Sequence, residues 1–412
     1  MKRIFILDRF YFPDEQATSI YLTELTRALQ GEFDFEILCG PPLVISEEGL
    51  LRSARNDVIA RRSIGRRSNL SIYQVPCFQL PKRFLLARAL NDLSFLFMAM
   101  MCSLFVRKPD LVVTQTSPPG VWWVGCLLSR WHRARWVHVF QDVFPDNLQA
   151  LSRNKTGFIF SFLDKISSFP TRRADQIIAV GEDMKNILIQ KGFSALKIRQ
   201  IHNWVDLNFI RPLPKKNSFS ERHQVVDKFV VLYAGNLGRV HNFEDLLEAA
   251  EKLRDYPEIV FLIVGEGALK KQIIRQIKSR ELTNIHLIPF EPRSHLAIVL
   301  ATADLNVVLL RKGMAGLSVP SKVYSILASG RPILACLEEE SDVAKMVRVA
   351  QAGFVVPPGH SEELAQVILK VFQSNARNQY GANARRYAER KDFQKQAFRD
   401  YTQTFHEVLE ER

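Results

Sequence analysis

The sequence predicts an α/β protein made of two doubly wound, parallel-sheet units in tandem that share a cleft. Three observations carry this. The chain has 412 residues, too many for one ordinary core and enough for two of about 200. Short β-rich apolar runs alternate with helical patterns of ten or more residues, which is the pattern of parallel βαβ units. The alternation lapses once, over IRPLPKKNSFSERHQVVDK at 210–228, and then restarts. The expected division is a first unit at 1–209, a linker at 210–228, a second unit at 229–385 and a helical tail at 386–412.

In the first unit, IFIL is a buried strand, its apolar run being too short for a signal peptide. TSIYLTELTRAL follows as a helix and FEILCG as a second strand. Residues 84–106 are mostly apolar but contain Arg88, Asn91 and Asp92 at i, i+3, i+4, one face of a helix. Charges there, and an uninterrupted stretch of only Phe95 to Val106, argue against a span of ~20 residues. Lys82 and Arg83 precede the segment, and Arg107 and Lys108 follow it. It either packs in the core or lies on a bilayer surface. DLVVTQTSPPG, WVHVFQD, DQIIAVG and KIRQIHN complete the strands of this half. In the second unit FVVLYAGNLG, VFLIVGEG, IHLIPF, LNVVLL and RPILAC read as strands, NFEDLLEAAEKL as an amphipathic helix, and 361–412 as helical throughout.

Composition bounds the function. Hydrophobic residues at 47% and charged residues at 24% describe a folded chain, not a disordered one. The net charge of +13 is uneven: residues 1–200 carry 27 Lys and Arg against 18 Asp and Glu. That excess fits membrane lipid or a phosphorylated acceptor, or simply a solvated basic surface. Nucleic acid is disfavoured, because no zinc spacing, basic helix or aromatic stacking signature accompanies the charge. Five scattered cysteines without a CxxC pair imply neither a metal site nor a disulfide framework, consistent with a reducing cytoplasm.

Ligands of open parallel sheets bind beyond the carboxyl ends of the strands, so the chemistry is sought directly after each apolar run. YAGNLGR offers Gly235, Asn236, Gly238 and Arg239 at a strand end before a helix, suited to a phosphate. A plain tight turn is the competing reading. SVPSKVYSILASGRPILA puts Pro320, Ser321 and Lys322 at a helix start. A cation there opposes the helix dipole, which a bound diphosphate would explain; an ordinary surface lysine is the competing reading. VGEG places Gly265, Glu266 and Gly267 at a third strand end, where the carboxylate either binds a ribose or is merely solvated. In the first unit, Asp14, Glu15, Thr18 and Ser19 lie in the loop opening the first helix. His138, Asp142, Phe144 and Asp146 lie in VHVFQDVFPDN, and Thr116 to Gly120 form TSPPG. Asp14, His138 and Asp142 are candidates to handle an acceptor hydroxyl. His138 is equally open to a packing role and Asp146 to capping a helix that starts at Asn147.

These segments together resemble bacterial GT-B glycosyltransferases of family 4, in the branch that builds capsular, O-antigen and colanic-acid-type polysaccharides. YFPDEQATSIYLTELTRAL, VFQDVFPDNLQAL, HNWVD (His202 to Asp206), YAGNLGR and VPSKVYSILASGRPILA carry the resemblance in order and spacing. It implies two Rossmann-like domains and a C-terminal helix crossing back to the first. It also implies a nucleotide-diphosphate sugar held by the second domain, with retention of configuration and no metal or other cofactor. Arg239 and Lys322 would neutralise the leaving diphosphate. The first domain would take a lipid-linked or other glycan acceptor through Glu15, Thr18, Ser19 and Phe144. A hexosyl- or N-acetylhexosaminyl-transferase is expected, cytoplasmic and in peripheral contact with the inner membrane face. The family's pair of glutamates eight residues apart falls on Leu317 and Ser325, so the sugar-binding carboxylate is not among the aligned residues; Glu338 to Glu340 lie downstream. A nucleotide-sugar epimerase and a non-catalytic scaffold are the alternatives. An NAD enzyme is disfavoured, since no GxGxxG follows a strand.

Overall fold

The computed structural model describes residues 1–42, 69–80, 85–152 and 157–410. The chain divides into two compact units, Met1–His202 with Ala397–Arg412, and Asn203–Gln396.

In the first unit, seven parallel strands among the described residues form one sheet in the order β3-β2-β1-β4-β5-β6-β7. They are β1 (Lys2–Leu7), β2 (Phe33–Cys39), β3 (Leu70–Gln74), β4 (Leu111–Gln115), β5 (Arg135–Phe140), β6 (Gln176–Ala179) and β7 (Ile198–Gln200). The order reverses between β1 and β4, which are paired from Ile4 opposite Leu111 to Leu7 opposite Thr114. Such a reversal opens a crevice at the strand ends. The IFIL run is fully buried because crossover helices cover both faces of a parallel sheet. The helix Ala17–Leu29 buries Ser19, Leu22, Thr23, Leu25, Thr26 and Leu29, the three-and-four spacing of one helical face.

The second unit holds a six-stranded parallel sheet among the described residues, in the order β10-β9-β8-β11-β12-β13. Its strands are β8 (Phe229–Ala234), β9 (Ile259–Val264), β10 (Ile285–Ile288), β11 (Leu305–Leu309), β12 (Ile333–Cys336) and β13 (Gly353–Val356). Here the reversal lies between β8 and β11. A buried carboxylate, Asp304, ties the base of this sheet together: it accepts from Val230 N at 2.9 Å and pairs with Arg377 at 2.9 Å and with Lys215.

Two differences from the sequence expectations have physical causes. Residues 210–228 are folded into the second unit, not free as a linker. Asn217 makes a capping box at the helix Ser218–Arg222, and Phe219, Ser220 and Val225 are buried. The polar composition there serves a cap and a short helix, which hydropathy alone cannot distinguish from a tether. β3 and β13 were not foreseen; both lie at sheet edges, β3 mixing polar Ser71 and Gln74 into its run and β13 having only four residues. The tail is three helices, Ser361–Gln373, Arg377–Lys391 and Phe393–Glu410. The last contributes to the first unit, where Phe405 packs edge-on against Phe33 at 5.8 Å and Arg199 donates to Thr404 Oγ1 at 2.8 Å.

The segment expected at 84–106 forms the helix Leu85–Ser103; Lys82, Arg83 and Phe84 lie outside the described residues. Its polar trio does not share one environment. Asn91 is buried and clamps the Leu80 backbone, accepting from its N–H at 2.8 Å and donating to its carbonyl at 3.0 Å, whereas Arg88 is exposed. Among the described residues no helix is long and apolar enough to cross a membrane.

Candidate functional site

The second unit brings its three predicted segments together at the β8/β11 reversal. Gly235 follows β8 and Gly265 follows β9, with φ of +137° and +153°. A Cβ at Gly265 would stand 1.9 Å from the Gly235 carbonyl oxygen, and one at Gly267 would stand 2.5 Å from that of Leu237. Only glycine allows this approach and these dihedrals. The two turns are laced by backbone bonds: Leu237 N donates to Glu266 O at 2.8 Å, and Leu269 N to Leu237 O at 3.0 Å. Tyr233, at the end of β8, donates its hydroxyl to Asn236 O at 2.7 Å and so fixes the turn from below.

Lys322 opens the helix Lys322–Ser329 and reaches back across this turn. Its Nζ lies 3.6 Å from the centroid of the Tyr233 ring and 3.2 Å from where a Cβ on Gly235 would be. Lys322 is half-buried as a whole, but its ammonium is buried and has no hydrogen-bond partner among the described residues. Burial holds it well below the ordinary lysine range. His241 is its neighbour. Burial first, and the Lys322 charge second, push its imidazole down to about 3. Its Nδ1, placed 2.9 Å from the Leu309 carbonyl, is therefore the donor. A neutral imidazole and an unpaired amine thus lie together under the glycine turn; an isolated buried ammonium is costly, and an anionic partner relieves that cost.

The other residues expected at this site have surroundings of their own. The helix after the glycine turn starts only at Phe243 and carries Glu244 and Asp245 in its first turn. Those carboxylates already answer its dipole. Asp245 is further spent on Gly359 N at 2.8 Å. Ser321 makes no side-chain cap bond, and the Val323 and Tyr324 amides bond back to Pro320 and Ser321 at 3.2 Å. The start of the Lys322 helix thus contributes its side chain more than open amides. Glu266 is exposed and paired with Lys270, i to i+4. Arg239 is exposed in the turn before His241, with no hydrogen bond or ion pair among the described residues.

Glu338, following β12, accepts from Gly313 N at 3.1 Å with one carboxylate oxygen and from Ala315 N at 3.3 Å with the other. It is thereby committed to holding the loop that leads into Ser321 and Lys322. His241 and the Glu338 clamp were both missed by sequence reasoning. His241 is visible only as an imidazole six residues after Gly235, and the clamp joins residues more than twenty apart.

In the first unit the loops after β1 and β4 flank the reversal point, but the loop acids shape the loop itself. Asp8 Oδ1 accepts from Phe10 N at 2.8 Å and Asp14 Oδ1 from Gln16 N at 2.9 Å, two Asx-type turns in succession. Asp14 and Ser19 are buried, and the Ser19 hydroxyl donates to the Asp14 carbonyl at 2.8 Å. Ser19 therefore fastens the loop to its helix, while Glu15 and Thr18 are half-buried beside it. Burial pushes the Asp8 carboxyl up to about 8, with Asp14 adding repulsion, an acid the sequence did not single out. Thr116 ties the TSPPG loop to β5, donating to Val139 O at 3.2 Å and accepting from Gln141 N at 3.1 Å.

His138 has no exposed surface. It lies inside β5, Nδ1 2.8 Å from Thr114 Oγ1, edge-on to Phe140, with its pKa lowered to about 3 by burial. A base must reach its proton, so the structure gives His138 a packing role. Asp142 and Phe144 are half-buried just past β5, Phe144 stacking at 5.4 Å on Trp122. Asp146 begins the helix Asp146–Leu151, whose cap position is Pro145, and pairs with Lys191 at 2.8 Å; it caps nothing. Among the described residues no three His, Cys, Asp or Glu side chains cluster as metal ligands.

Known proteins share this organisation. The chain is 26% identical over 375 residues to the probable glycosyltransferase WbjE of Pseudomonas aeruginosa, covering 89% of each. It is 26% identical over 294 residues to the colanic acid biosynthesis glycosyl transferase WcaI of Escherichia coli K12, covering 69% of this chain and 70% of that one. In structure it is similar to Anabaena HepE, solved in complex with UDP and glucose (TM-score 0.74, 16% identity, 99% and 100% covered). It is also similar to WaaG, a glycosyltransferase involved in lipopolysaccharide biosynthesis (TM-score 0.69, 14% identity, 95% and 96% covered). Residues 18–209 match Glycosyltransferase Family 4, and residues 215–387 match Glycosyl transferases group 1. The chain is a glycosyltransferase of the GT-B fold, its first half matching a family 4 domain and its second half a group 1 domain.

Proposed function

We propose that this glycosyltransferase takes its sugar from a nucleotide-diphosphate donor and passes it to a lipid-linked or other polysaccharide-precursor acceptor. The single observation behind the donor is the Lys322 ammonium, buried without a partner against Tyr233 and Gly235. A diphosphate oxygen would supply the missing charge, and the restored ammonium would stabilise the leaving group as the glycosidic bond breaks. Arg239, exposed in the adjoining turn, would add a second, forked cation. Asn236, Gly238 and Glu266 would complete the donor contacts. With protein cations in that place, transfer would need no metal; retention of anomeric configuration is what the family resemblance implies. Polysaccharide biosynthesis is supported by the names of WcaI and of WaaG, and a uridine donor by the HepE complex.

The acceptor is assigned to the first unit, with Glu15, Thr18, Asp142 and Phe144 as its binding and activating groups. The reading places the protein on the cytoplasmic side of the cell membrane, touching it peripherally through the helix Leu85–Ser103.

Thermal-shift measurements with UDP, GDP, ADP and dTDP, with and without magnesium, test the donor. A diphosphate at about 100 times its dissociation constant adds roughly 2.7 kcal/mol of stability. Stabilisation by one of them without magnesium is the expected result. No response to any, or a response only with magnesium, would remove the protein-cation reading. Release of nucleoside diphosphate only when acceptor is added separates transfer from epimerisation.

A further inference from the structure

The helix Leu85–Ser103 is apolar on two opposite sides. Ala87, Asn91, Phe95, Ala99 and Ser103 recur every four residues and are buried. Leu86, Leu90, Leu93, Phe97 and Met101 are exposed, Phe97 by 65%. At 100° per residue these two stripes lie about 160° apart, so the second points away from the sheet. Neighbouring helices repeat the pattern. Val121–His132 exposes Trp123, Leu127 and Trp131, the last by 69%, and Gly157–Thr171 exposes Phe158 by 84% with Phe162 and Phe169.

The three helices are side by side. A Cβ on Gly120 would meet Leu96 Cδ1 at 2.8 Å, and His132 Nε2 lies 3.1 Å from Ser103 O. Trp123 and Phe169 approach ring to ring at 6.0 Å. All three run between parallel strands and so point the same way. Their C-terminal ends therefore align, and each carries an exposed basic pair: Arg107 and Lys108, Arg130 and Arg133, Arg172 and Arg173. No carboxylate on these helices is exposed; Asp92 is half-buried, and Asp164 is half-buried and paired with Lys191 at 2.6 Å.

We propose that these three helices together form a docking face for an anionic lipid bilayer, their aromatic and leucine stripes entering the interface and the basic row meeting lipid headgroups. The inference rests on the peripheral-contact part of the proposed function and extends it from one helix to a surface of three. Single exposed leucines are ordinary, but contiguous aromatic patches rimmed by charge of one sign are not. Aromatic side chains with basic neighbours suit the headgroup level of a bilayer. A second copy of the chain suits it less, because self-pairing would bring two basic rows into one interface.

The test uses the full chain and sedimentation with vesicles of mixed phosphatidylglycerol and phosphatidylethanolamine, against phosphatidylcholine alone. Binding to the anionic vesicles that weakens with added salt is expected. The variant F97Q/W131Q/F162Q should lose it by roughly tenfold or more, and R130Q/R133Q should lose its salt-sensitive part while touching no apolar residue. Both variants should keep the native Tm and the diphosphate-induced shift, which checks folding and the donor site separately. No binding to anionic vesicles, or native-like binding by both variants, overturns the docking face. So does a native dimer in sedimentation velocity that the triple variant abolishes, since the face would then join two copies. A chain that binds vesicles but no diphosphate would instead sink only the donor reading.

Discussion

The Lys322 ammonium stands 3.6 Å above the centre of the Tyr233 ring and has no hydrogen-bond partner. Tyr233 closes β8 and Lys322 opens a helix 89 positions later, so this contact joins the two segments that sequence reasoning had assigned separately to a donor. Chemically it is an unfinished pair, since the ring face favours a cation but burial disfavours one.

Lys322→Met keeps the aliphatic stem and removes the amine. Native stability should rise by about 1–2 kcal/mol in urea unfolding, because a buried unpaired polar group disappears. Diphosphate affinity should fall roughly 10- to 100-fold with the loss of a charged hydrogen bond. Lys322→Ala should abolish turnover without unfolding the chain. Unchanged affinity in either variant would remove Lys322 from the donor site.

The two glycine turns should respond differently to a methyl group. Gly265→Ala sets a Cβ 1.9 Å from a backbone oxygen of the paired turn, which neither turn can evade, and about 3 kcal/mol or more of stability should be lost. Gly235→Ala meets only the mobile end of Lys322 at 3.2 Å. It should cost about 1–3 kcal/mol for its dihedral and act mainly by displacing the amine, weakening diphosphate binding. Equal melting temperatures for the two variants would contradict this.

Glu338→Gln turns one of two accepting oxygens into a donor facing a backbone N–H. The loop from Gly313 to Ala315 should loosen by about 1–2 kcal/mol. A structural clamp on the donor loop predicts a KM for donor raised roughly tenfold with the melting temperature little changed. A collapse of kcat at unchanged KM would instead mean that Glu338 touches the reacting sugar.

Asp8 predicts a pH dependence with a definite sign. Its carboxyl titrates near 8 in the folded chain against an ordinary 3.8, so between these values the folded state holds a proton that the unfolded state has lost. Its contribution is therefore fully present below about pH 4 and declines, by about 1.4 kcal/mol per pH unit at most, until about pH 8. Asp8→Asn should not share that decline, so its stability relative to the native chain should increase across this window and level off above it. Parallel stability curves in urea would show that Asp8 is ionised and paired in solution.

Much of the fold was legible because its signals are local. An apolar run of four to six residues followed by glycine or a charge marks a buried parallel strand wherever the chain later goes, and both units were read from that. Gly235, Gly265 and Gly267 were legible for the same reason, since a turn at a strand end needs the left-handed dihedrals they adopt. β3 and β13 were not: LSIYQ mixes polar residues into its run, and GFVV is only four residues long.

By itself, then, the sequence determined two α/β units, the strand ends where ligands bind, and the residue types gathered there. Only tertiary structure decided what those residues face. It put His138 inside the sheet and Lys322 under a glycine turn, spent Asp14 and Ser19 on their own loop, and made Glu338 a clamp instead of an isolated acid. Periodicity records whether a side chain is wanted inside or outside, but not which partner waits there. That depends on crossovers that bring together residues dozens of positions apart, and on the loss of water that makes a lone amine or carboxyl at such a junction change its charge.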